Sequence, residues 1–301
     1  MDKIIILAGG YSNEREISLI TAKSVTRELK KNKKYKLLTI EPNGYFIKKL
    51  RQFKPKLVLN LLHGRYGEDG YIQSILESEK VKYTHSGVLS SSLAIDKEIS
   101  KKIFIKNKIL TPPYFKFIFK KNTNYKNITK KIEKKLKFPV VLKPINEGSS
   151  VGVYITNKKN FIYNLLKLEK FKEILIEKYI PGREIQAAVL GNKKLGIIEL
   201  KPKRKFYDYK AKYSASAKTE HIIPVDITHK NYNKINIYLL VFLWKTNTLI
   251  LLILHYLNFY TIHYLNLLYF HHILYQIYLR FDYTMYCYLS LFSIYYYHTY
   301  N

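Results

Sequence analysis

The sequence predicts an α/β domain followed by an α+β unit, and two patterns along the chain support this. In residues 1–95, apolar strands alternate with amphipathic helices, as in IIILAGG (4–10) followed by EREISLITAKSVTRELK (14–30). Residues 138–202 instead run in the order strand, loop, strand, helix, strand. Because strands joined by helical crossovers lie parallel, the first region should bind ligands at the carboxyl ends of its strands.

The other predicted elements follow from the same apolar patterns and from the turn residues that end them. Ser12 is placed to cap the helix that begins near residue 14, since a serine hydroxyl can accept a hydrogen bond from the first turn. Pro112 and Pro113 should end a helix at 96–109, because proline lacks an N–H and clashes inside a helix. Further strands are predicted at 55–64, 138–144, 151–156, 173–180, 184–191 and 195–202, and further helices at 69–80 and 160–171.

Composition limits the class of protein. A chain of 301 residues that is 47% hydrophobic can bury cores in two or three domains. The single cysteine, Cys287, cannot form an internal disulfide, which fits a reducing compartment. The apolar run in MDKIIILAGG is too short for a signal peptide, and an acid stands at position 2. We therefore expect a cytoplasmic protein.

The formal net charge of +30 is the feature that would suggest a nucleic acid or an anionic membrane as partner. A nucleic-acid-binding protein concentrates its positive charge on one face. Here the excess is mostly lysine spread over every polar face, in a chain also rich in Ile, Asn, Tyr and Phe, all of which have A/T-rich codons. Codon bias is the simpler explanation, so we expect no nucleic-acid partner.

Residues 227–301 differ in character from the rest of the chain. The last glycine is Gly196 and the last proline is Pro224, and residues 238–301 hold only three formal charges. Three interpretations stay open: the product of a shifted reading frame, a membrane segment within 246–279, or a divergent C-terminal lobe. Lacking a polar face, this tail should be poorly packed or form an implausible helix.

Three segments carry residue types that suit phosphate chemistry. HGRYGEDG (63–70) and GGYSNEREISL (9–19) place glycines and acids where strands end and helices begin, and helix N-termini attract anions. In KPINEGSSVGV (143–153), a lysine at a strand end precedes a turn whose N–H groups can cradle phosphate. Taken singly, these segments are also typical of a solvated turn, a capped surface helix and a polar hairpin.

Together, the three segments resemble the signatures of D-alanine–D-alanine ligases, enzymes of the ATP-grasp family. The resemblance extends over about residues 3–226 and includes SGVLSSSLAIDKEISK (86–101), ILIEKYIPGREI (174–185) and KFYDYKAKYSA (205–215). It implies an ATP-grasp fold with a Rossmann-like N-terminal domain and an incomplete C-terminal lobe. The implied division is a substrate-binding domain at 1–95, an ATP-binding lid domain at 96–180, the start of a C-terminal domain at 181–226, and a non-native tail at 227–301.

The resemblance also implies the site residues. Glu14 would orient the ammonium of the first D-alanine, Ser149 would lie near the dipeptide site, and Tyr213, in a lid that excludes water, would lie beside the second substrate. These three are the expected catalytic residues, and His63 joins them in binding substrate. The expected ATP-binding residues are Lys97, Lys143, Glu177, Lys178, Tyr179, Ile180, Glu184 and Lys212.

The implied reaction joins two D-alanines at the expense of ATP. The carboxylate of one attacks the γ-phosphate to give an acyl phosphate, and the amine of the second then displaces phosphate. Tyr213 indicates D-alanine rather than D-lactate as the second substrate. The product would feed peptidoglycan synthesis, and hence cell wall biogenesis and cell shape, and the resemblance suggests a homodimer.

The resemblance breaks down at the metal site. The family holds Mg²⁺ with carboxylates in a pattern like R-x-D-F followed by E-x-N, and Mg²⁺ requires oxygen ligands. The chain has no glutamate after residue 226, and Arg280-Phe281-Asp282-Tyr283 matches the first half only loosely. The cofactors implied are therefore ATP and Mg²⁺, with no metal ligands to assign. A decayed ATP-binding remnant is the alternative to an active ligase.

Overall fold

A computed structural model describes residues 1–148, 150–190, 193–203, 218–233, 235 and 289–296 of the chain. The described strands form three separate sheets. Four groups of residues named in the sequence analysis lie outside the described residues: Lys212 and Tyr213 of the expected lid, Ser149 of the glycine loop (the turn within 143–153), the apolar segment 246–279 and residues 280–283.

The first sheet is parallel and carries helices on both faces. Its strands are β1 (Asp2–Leu7), β2 (Tyr35–Ile40) and β3 (Leu57–Asn60), in the order β2-β1-β3, and its helices are α1 (Arg15–Leu29), α2 (Phe46–Phe53) and α3 (Tyr71–Ser78). Ile4 and Ile6 pack under α1, whereas Ile5 and Leu7 pack under α2 and α3. Successive side chains of a strand point to opposite faces, so β1 is buried on both sides. This confirms the predicted doubly wound, Rossmann-like region.

The second sheet is antiparallel and is covered by two helices. Helices α4 (Val88–Ile95) and α5 (Lys97–Lys106) lead into strands β4 (Tyr114–Ile118), β5 (Val140–Pro144), β6 (Tyr154–Thr156) and β7 (Glu173–Lys178), ordered β4-β7-β5-β6, with helices α6 (Tyr125–Leu136) and α7 (Phe161–Leu166) and a 3₁₀ turn at Glu169–Phe171. Ile132 of α6 and Phe161 and Leu165 of α7 are fully buried against this sheet. The α+β unit predicted from the sequence is therefore present.

The third sheet contains a strand from the unusual tail. Its strands are β8 (Arg183–Leu190), β9 (Lys193–Lys201), β10 (Glu220–Ile222) and β11 (Leu289–Tyr296), all antiparallel in the order β10-β9-β8-β11. Strand β11 pairs with β8 from Leu289 opposite Leu190 to Tyr296 opposite Arg183. The expectation of a helix is wrong for these eight residues, because the β8 edge offers backbone groups to pair with, whereas the expectation of poor packing stays a prediction.

Some local predictions differ from the structure. The sequence patterns did not predict β2, α2, α4, β4 or α6. Ser12 does not cap α1: Glu14 is the N-cap residue and its side chain makes no capping bond. The Ser12 hydroxyl instead donates to the His63 carbonyl oxygen at 2.7 Å and accepts from the Glu14 N–H at 3.1 Å. The domain limits at 95, 180 and 226 stay predictions. Among the described residues, no helix is long and apolar enough to cross a membrane.

Candidate active site

Glu14 and His63 meet where the loops after β1 and β3 come together. Both residues are buried, with 3% and 2% of their surface exposed. Ser12 bridges them through its bonds to the Glu14 N–H and the His63 carbonyl oxygen, and the Thr21 hydroxyl lies 3.3 Å from Nε2 of His63. Both strands end at the same edge of the parallel sheet. The structure therefore brings together the two D-alanine-site residues expected in this domain, at the predicted position in the fold.

Glycine is what allows the two loops to approach so closely. Gly64 has a φ of +66°, and a Cβ added there would lie 2.6 Å from Oε2 of Glu14. Gly9 has a φ of +82°, and its N–H donates to the Ser18 hydroxyl at 2.8 Å. A side chain at either position would meet an unfavourable left-handed backbone, and at Gly64 it would displace the Glu14 carboxylate.

The acids of the HGRYGEDG loop bond the loop itself. Glu68 accepts from the Gly64 N–H at 2.7 Å, and Asp69 accepts from the Tyr66 N–H at 2.8 Å. Asn60 and Gln73 each donate at 2.9 Å to the carbonyl oxygen of Gly67. The functional role expected for this loop stays a prediction, and these contacts show that Glu68 and Asp69 also fix its shape. Asn60 and Gln73, which lie outside the octet and are fully buried, were not predicted.

Lys97 connects helix α5 to the glycine loop that follows β5. Helix α5 is capped by Asp96, whose carboxylate accepts from the Ile99 N–H at 2.9 Å. From the first turn, the Lys97 ammonium donates to the carbonyl oxygens of Ile145 (3.1 Å) and Glu147. Burial and, to a lesser extent, the neighbouring charge of Lys143 lower the pKa of Lys97 to about 8, against the attraction of Glu177. Two backbone carbonyl oxygens therefore hold the Lys97 ammonium beside the turn that follows β5.

The glycine loop is folded by its own turns. The Val151 N–H donates to the Gly148 carbonyl oxygen at 2.9 Å, and the Val153 N–H donates to that of Ser150 at 3.2 Å. Gly152 has a φ of +69°, and a Cβ there would lie 2.9 Å from Pro144. The loop therefore packs tightly at the end of β5, next to Lys143 and within reach of Lys97.

Glu177 is a buried carboxylate between two lysines. Its Oε2 lies 2.7 Å from the Lys143 ammonium, and its Oε1 lies 3.2 Å from the Lys101 ammonium. The second contact is an ion pair, and among the described residues Oε1 accepts no hydrogen bond. Burial alone would raise the pKa of Glu177, but the charges of Lys143 and Lys101 outweigh it and lower that pKa. Glu177 is therefore ionised at neutral pH.

Lys101 was not predicted as a site residue. Its ammonium donates to the Thr111 hydroxyl at 2.7 Å and lies 5.1 Å from the centroid of the Tyr114 ring. Only 5% of its surface is exposed, and burial lowers its pKa to about 8 although Glu177 opposes the shift. No local pattern distinguishes this residue, because Lys101 resembles the other lysines of α5.

The hinge after β7 connects the second and third sheets. The Lys178 N–H donates to the Pro113 carbonyl oxygen at 2.9 Å, and the Tyr179 N–H donates to that of Pro139 at 3.2 Å. Ile180 is partly buried beside them, and Glu184 lies on β8 opposite Leu200. These four predicted ATP-site residues follow one another along the hinge and β8.

The donor set for a divalent metal is the part of the site that does not fit. Within the described ranges, no three His, Cys, Asp or Glu side chains are grouped so that they could hold a metal ion. Glu177 is the carboxylate at the centre of the lysine cluster, and it is already neutralised by Lys143 and Lys101. The part of the chain that the structure describes therefore does not supply the carboxylate ligands that Mg²⁺ requires.

The fold and the lysine cluster define a nucleotide-binding enzyme of the ATP-grasp class. A family model described as "D-ala D-ala ligase C-terminus" matches residues 103–243, so the match extends past residue 226. A D-alanine–D-alanine ligase of Pelagibacter ubique (strain HTCC1062) is 63% identical over 233 residues, which are 77% of this chain and 76% of that protein.

Solved structures agree with this match. The D-alanine–D-alanine ligase of Bacillus anthracis superposes with a TM-score of 0.68 at 34% identity, covering 82% of this chain and 80% of that one. Its complex with ATP superposes with a TM-score of 0.67 at 28% identity, covering 82% and 79%. The chain belongs to the D-alanine–D-alanine ligase family.

Proposed function

We propose that this protein joins two D-alanines into D-alanyl-D-alanine at the expense of ATP, through an acyl phosphate, for peptidoglycan synthesis. The observation that carries the proposal is the cluster formed by Lys97, Lys143 and Glu177 at the end of β5, in a chain 63% identical to a D-alanine–D-alanine ligase. The Lys143 and Lys101 ammonium groups contact the Glu177 carboxylate, and the Lys97 ammonium is influenced by Lys143 and by the carboxylates of Glu177, Glu147 and Asp96. The ammonium groups of Lys97 and Lys143 suit an anionic phosphate chain.

The nucleotide half of the site would bind ATP through that cluster and the hinge. Lys97 and Lys143 would contact the phosphates and stabilise the negative charge that develops during phosphoryl transfer. Glu177 would accept from the adenine amino group, the hinge residues Lys178, Tyr179 and Ile180 would lie along the base, and Glu184 would bind the ribose hydroxyls. The solved complex of the Bacillus anthracis ligase with ATP supports a nucleotide site in this fold.

The D-alanine half of the site would lie at Glu14 and His63. The Glu14 carboxylate would attract the ammonium of the first D-alanine, because the two carry opposite charges in a site that excludes water. Ser149, Tyr213 and Lys212 would complete the site, with Tyr213 and Lys212 closing over it. Keeping water out protects the acyl phosphate from hydrolysis.

Mg²⁺ is expected from the family, but the residues described here do not form its ligand set. No step is therefore assigned to a metal. Residues 227–301, which lack glutamate, stand where the family would supply those ligands. We propose that a shifted reading frame accounts for most of this tail. Translating the gene in all three frames past codon 226 tests this, and the absence of an E-x-N-T-x-P-G segment from every frame would rule it out.

The experiment that tests the function is ADP release measured with and without D-alanine. An active ligase releases ADP only when D-alanine is present, together with one phosphate and one D-alanyl-D-alanine per ADP. ATP binding without D-alanine-dependent ADP release would instead indicate the remnant, an alternative for which the comparisons give no support. A cytoplasmic location and a homodimer are part of the proposal, tested by fractionation and by light scattering.

A further inference from the structure

The two lysines that contact Glu177 differ in their access to solvent. The side chain of Lys101 is 6% exposed and that of Glu177 is 5% exposed, whereas that of Lys143 is 22% exposed. Lys143 lies on β5 opposite Leu175, so it is a diagonal neighbour of Glu177 on the same face of the sheet. Lys143 is therefore the partner that solvent can reach, and Lys101 is the partner that is buried together with the carboxylate.

Three residues contact the Lys101 ammonium: Thr111 accepts a hydrogen bond from it, the ring of Tyr114 lies beside it, and Glu177 forms an ion pair with it. Tyr114 stands directly opposite Glu177 in the pairing of β4 with β7. Cations are attracted to the faces of aromatic rings, and this attraction is strongest where water is excluded. Lys101 is therefore part of the buried structure that supports Glu177.

We propose that Lys101 is a positioning residue, the counterion that keeps Glu177 ionised and in place when Lys143 leaves it for the nucleotide phosphates. The inference rests on the proposed function, since it assumes that Lys143 contacts phosphate and Glu177 contacts adenine. In the free protein, Lys143 and Glu177 are bonded to each other at 2.7 Å. Binding a nucleotide in the proposed way requires Lys143 to change partners while Glu177 stays where it is.

The reason for a second lysine is the cost of a buried charge. A buried carboxylate without a counterion takes up a proton or reorganises, because the protein interior solvates charge poorly. With Lys101 in place, Lys143 can move to phosphate and Glu177 keeps one positive neighbour. Without Lys101, Lys143 is the remaining counterion and is held more tightly. Adenosine, which has no phosphate, does not need Lys143 to move.

The test is to compare ATP with adenosine on the full chain. In Lys101→Met, ATP affinity should fall roughly tenfold, the effect of about one charge-assisted hydrogen bond, while adenosine affinity changes less than about twofold. Lys102→Met is the matched control: Lys102 lies on the same helix, is 62% exposed and pairs with Glu98 at 2.8 Å. It should leave both affinities unchanged. Isothermal titration calorimetry without added metal measures both ligands.

A second variant covers the case in which Lys101→Met fails to fold, which circular dichroism would reveal. Thr111→Val keeps every charge and removes only the hydrogen bond that holds Lys101, so ATP affinity should fall about threefold and adenosine affinity should not change. Equal losses for ATP and adenosine, or no loss for either, would overturn the inference. A wild-type chain that binds neither ligand would instead overturn the proposed ATP site, and the inference with it.

Discussion

The two halves of the active site are built by different forces. In the D-alanine half, Glu14 and His63 are positioned by serine and threonine hydroxyls, backbone groups and a glycine that allows close approach. In the nucleotide half, charged side chains from α5, β5 and β7 face one another across distances of 2.7 to 3.2 Å. The D-alanine half is fixed by hydrogen bonds and backbone conformation, and the nucleotide half by contacts between opposite charges.

This difference predicts how strongly substitutions should affect each half of the site. Neutral hydrogen bonds contribute about 1 kcal/mol each and respond little to pH. Buried charges depend on one another, so removing one partner costs several times more than either contact appears to contribute. Changes in the nucleotide half should therefore have the larger effects, and they should act on ATP without altering D-alanine binding.

The largest expected effect is that of Lys143→Ala. It removes a phosphate contact and one of the two counterions of the buried Glu177. ATP affinity should fall between about tenfold and a hundredfold, as for the loss of a hydrogen bond to a charged group, and the free energy of unfolding should fall by about 3 kcal/mol. Calorimetry and chemical denaturation measure the two effects. Lys130→Ala, an exposed lysine of α6, is the control, and an unchanged ATP affinity in Lys143→Ala would make the assignment wrong.

The next largest effect should come from the other half, in Gly64→Ala. The added methyl group would stand 2.6 Å from Oε2 of Glu14, on a backbone with a φ of +66°. D-Alanine affinity should fall about tenfold because the carboxylate is displaced, and stability should fall by about 1 to 2 kcal/mol because of the left-handed backbone.

Gly44→Ala is the matched control for Gly64→Ala, since a Cβ at Gly44 meets no atom within 4 Å. ATP affinity should be unchanged in both variants. If Gly64→Ala weakened ATP and D-alanine equally, the two halves would not be independent, and the contrast between them would be lost.

Raising the pH should change ligand binding in the nucleotide half, where Lys97 titrates. Lys97 has a pKa of about 8 in the free protein, mainly because it is buried, and a bound phosphate would raise that pKa. ATP affinity is therefore greatest below pH 8 and falls by about fivefold between pH 8 and 9, by the linkage of proton and ligand binding. Calorimetry at pH 8.5 in buffers of different ionisation enthalpy should detect proton uptake on ATP binding, and its absence would contradict the assignment of Lys97.

Stability should respond to pH with the opposite sign. Lys97 and Lys101 have folded pKa values of about 8, against an ordinary value of 10.5. Between these pH values the unfolded chain binds more protons than the folded one, so these two groups make the nucleotide-free protein more stable as the pH rises from 8 to 10.5. A chemical denaturation series over that range would detect the trend.

The contrast between the two halves also explains which features could be predicted from the sequence. Glycines and apolar periodicity are visible in a short stretch of sequence, and they predicted β1, β3 and the loops that carry Glu14 and His63. Lys97, Lys143 and Glu177 were grouped by family resemblance, since nothing local distinguishes them from other lysines and acids. Lys101 was missed because burial is a tertiary property: it is 5% exposed, whereas Lys102, the next residue on the same helix, is exposed.

The missed elements have a related cause. In α6, lysines occupy many positions of YKNITKKIEKKL, which weakens the apolar stripe formed by the buried Ile132 and Leu136. β2 is a strand of six residues whose buried end is a single isoleucine, Ile40. β11 has no turn residues to mark its limits, and its position is set by the edge of β8.

The smallest effect is expected for Ser12→Ala, which tests whether the D-alanine half really depends on neutral hydrogen bonds. The Ser12 hydroxyl donates to the His63 carbonyl oxygen at 2.7 Å and accepts from the Glu14 N–H at 3.1 Å, so it ties the two loops together. Losing both bonds, at about 1 kcal/mol each, should cost about 2 kcal/mol of stability and weaken D-alanine binding about threefold, the smallest change in ligand affinity, with ATP affinity unchanged. Ser74→Ala removes a similar hydroxyl, bonded at 2.7 Å to the Tyr71 carbonyl oxygen on the exposed side of α3, and should not alter D-alanine binding. A loss of D-alanine affinity as large as that of Gly64→Ala would mean that Ser12 contacts the substrate itself.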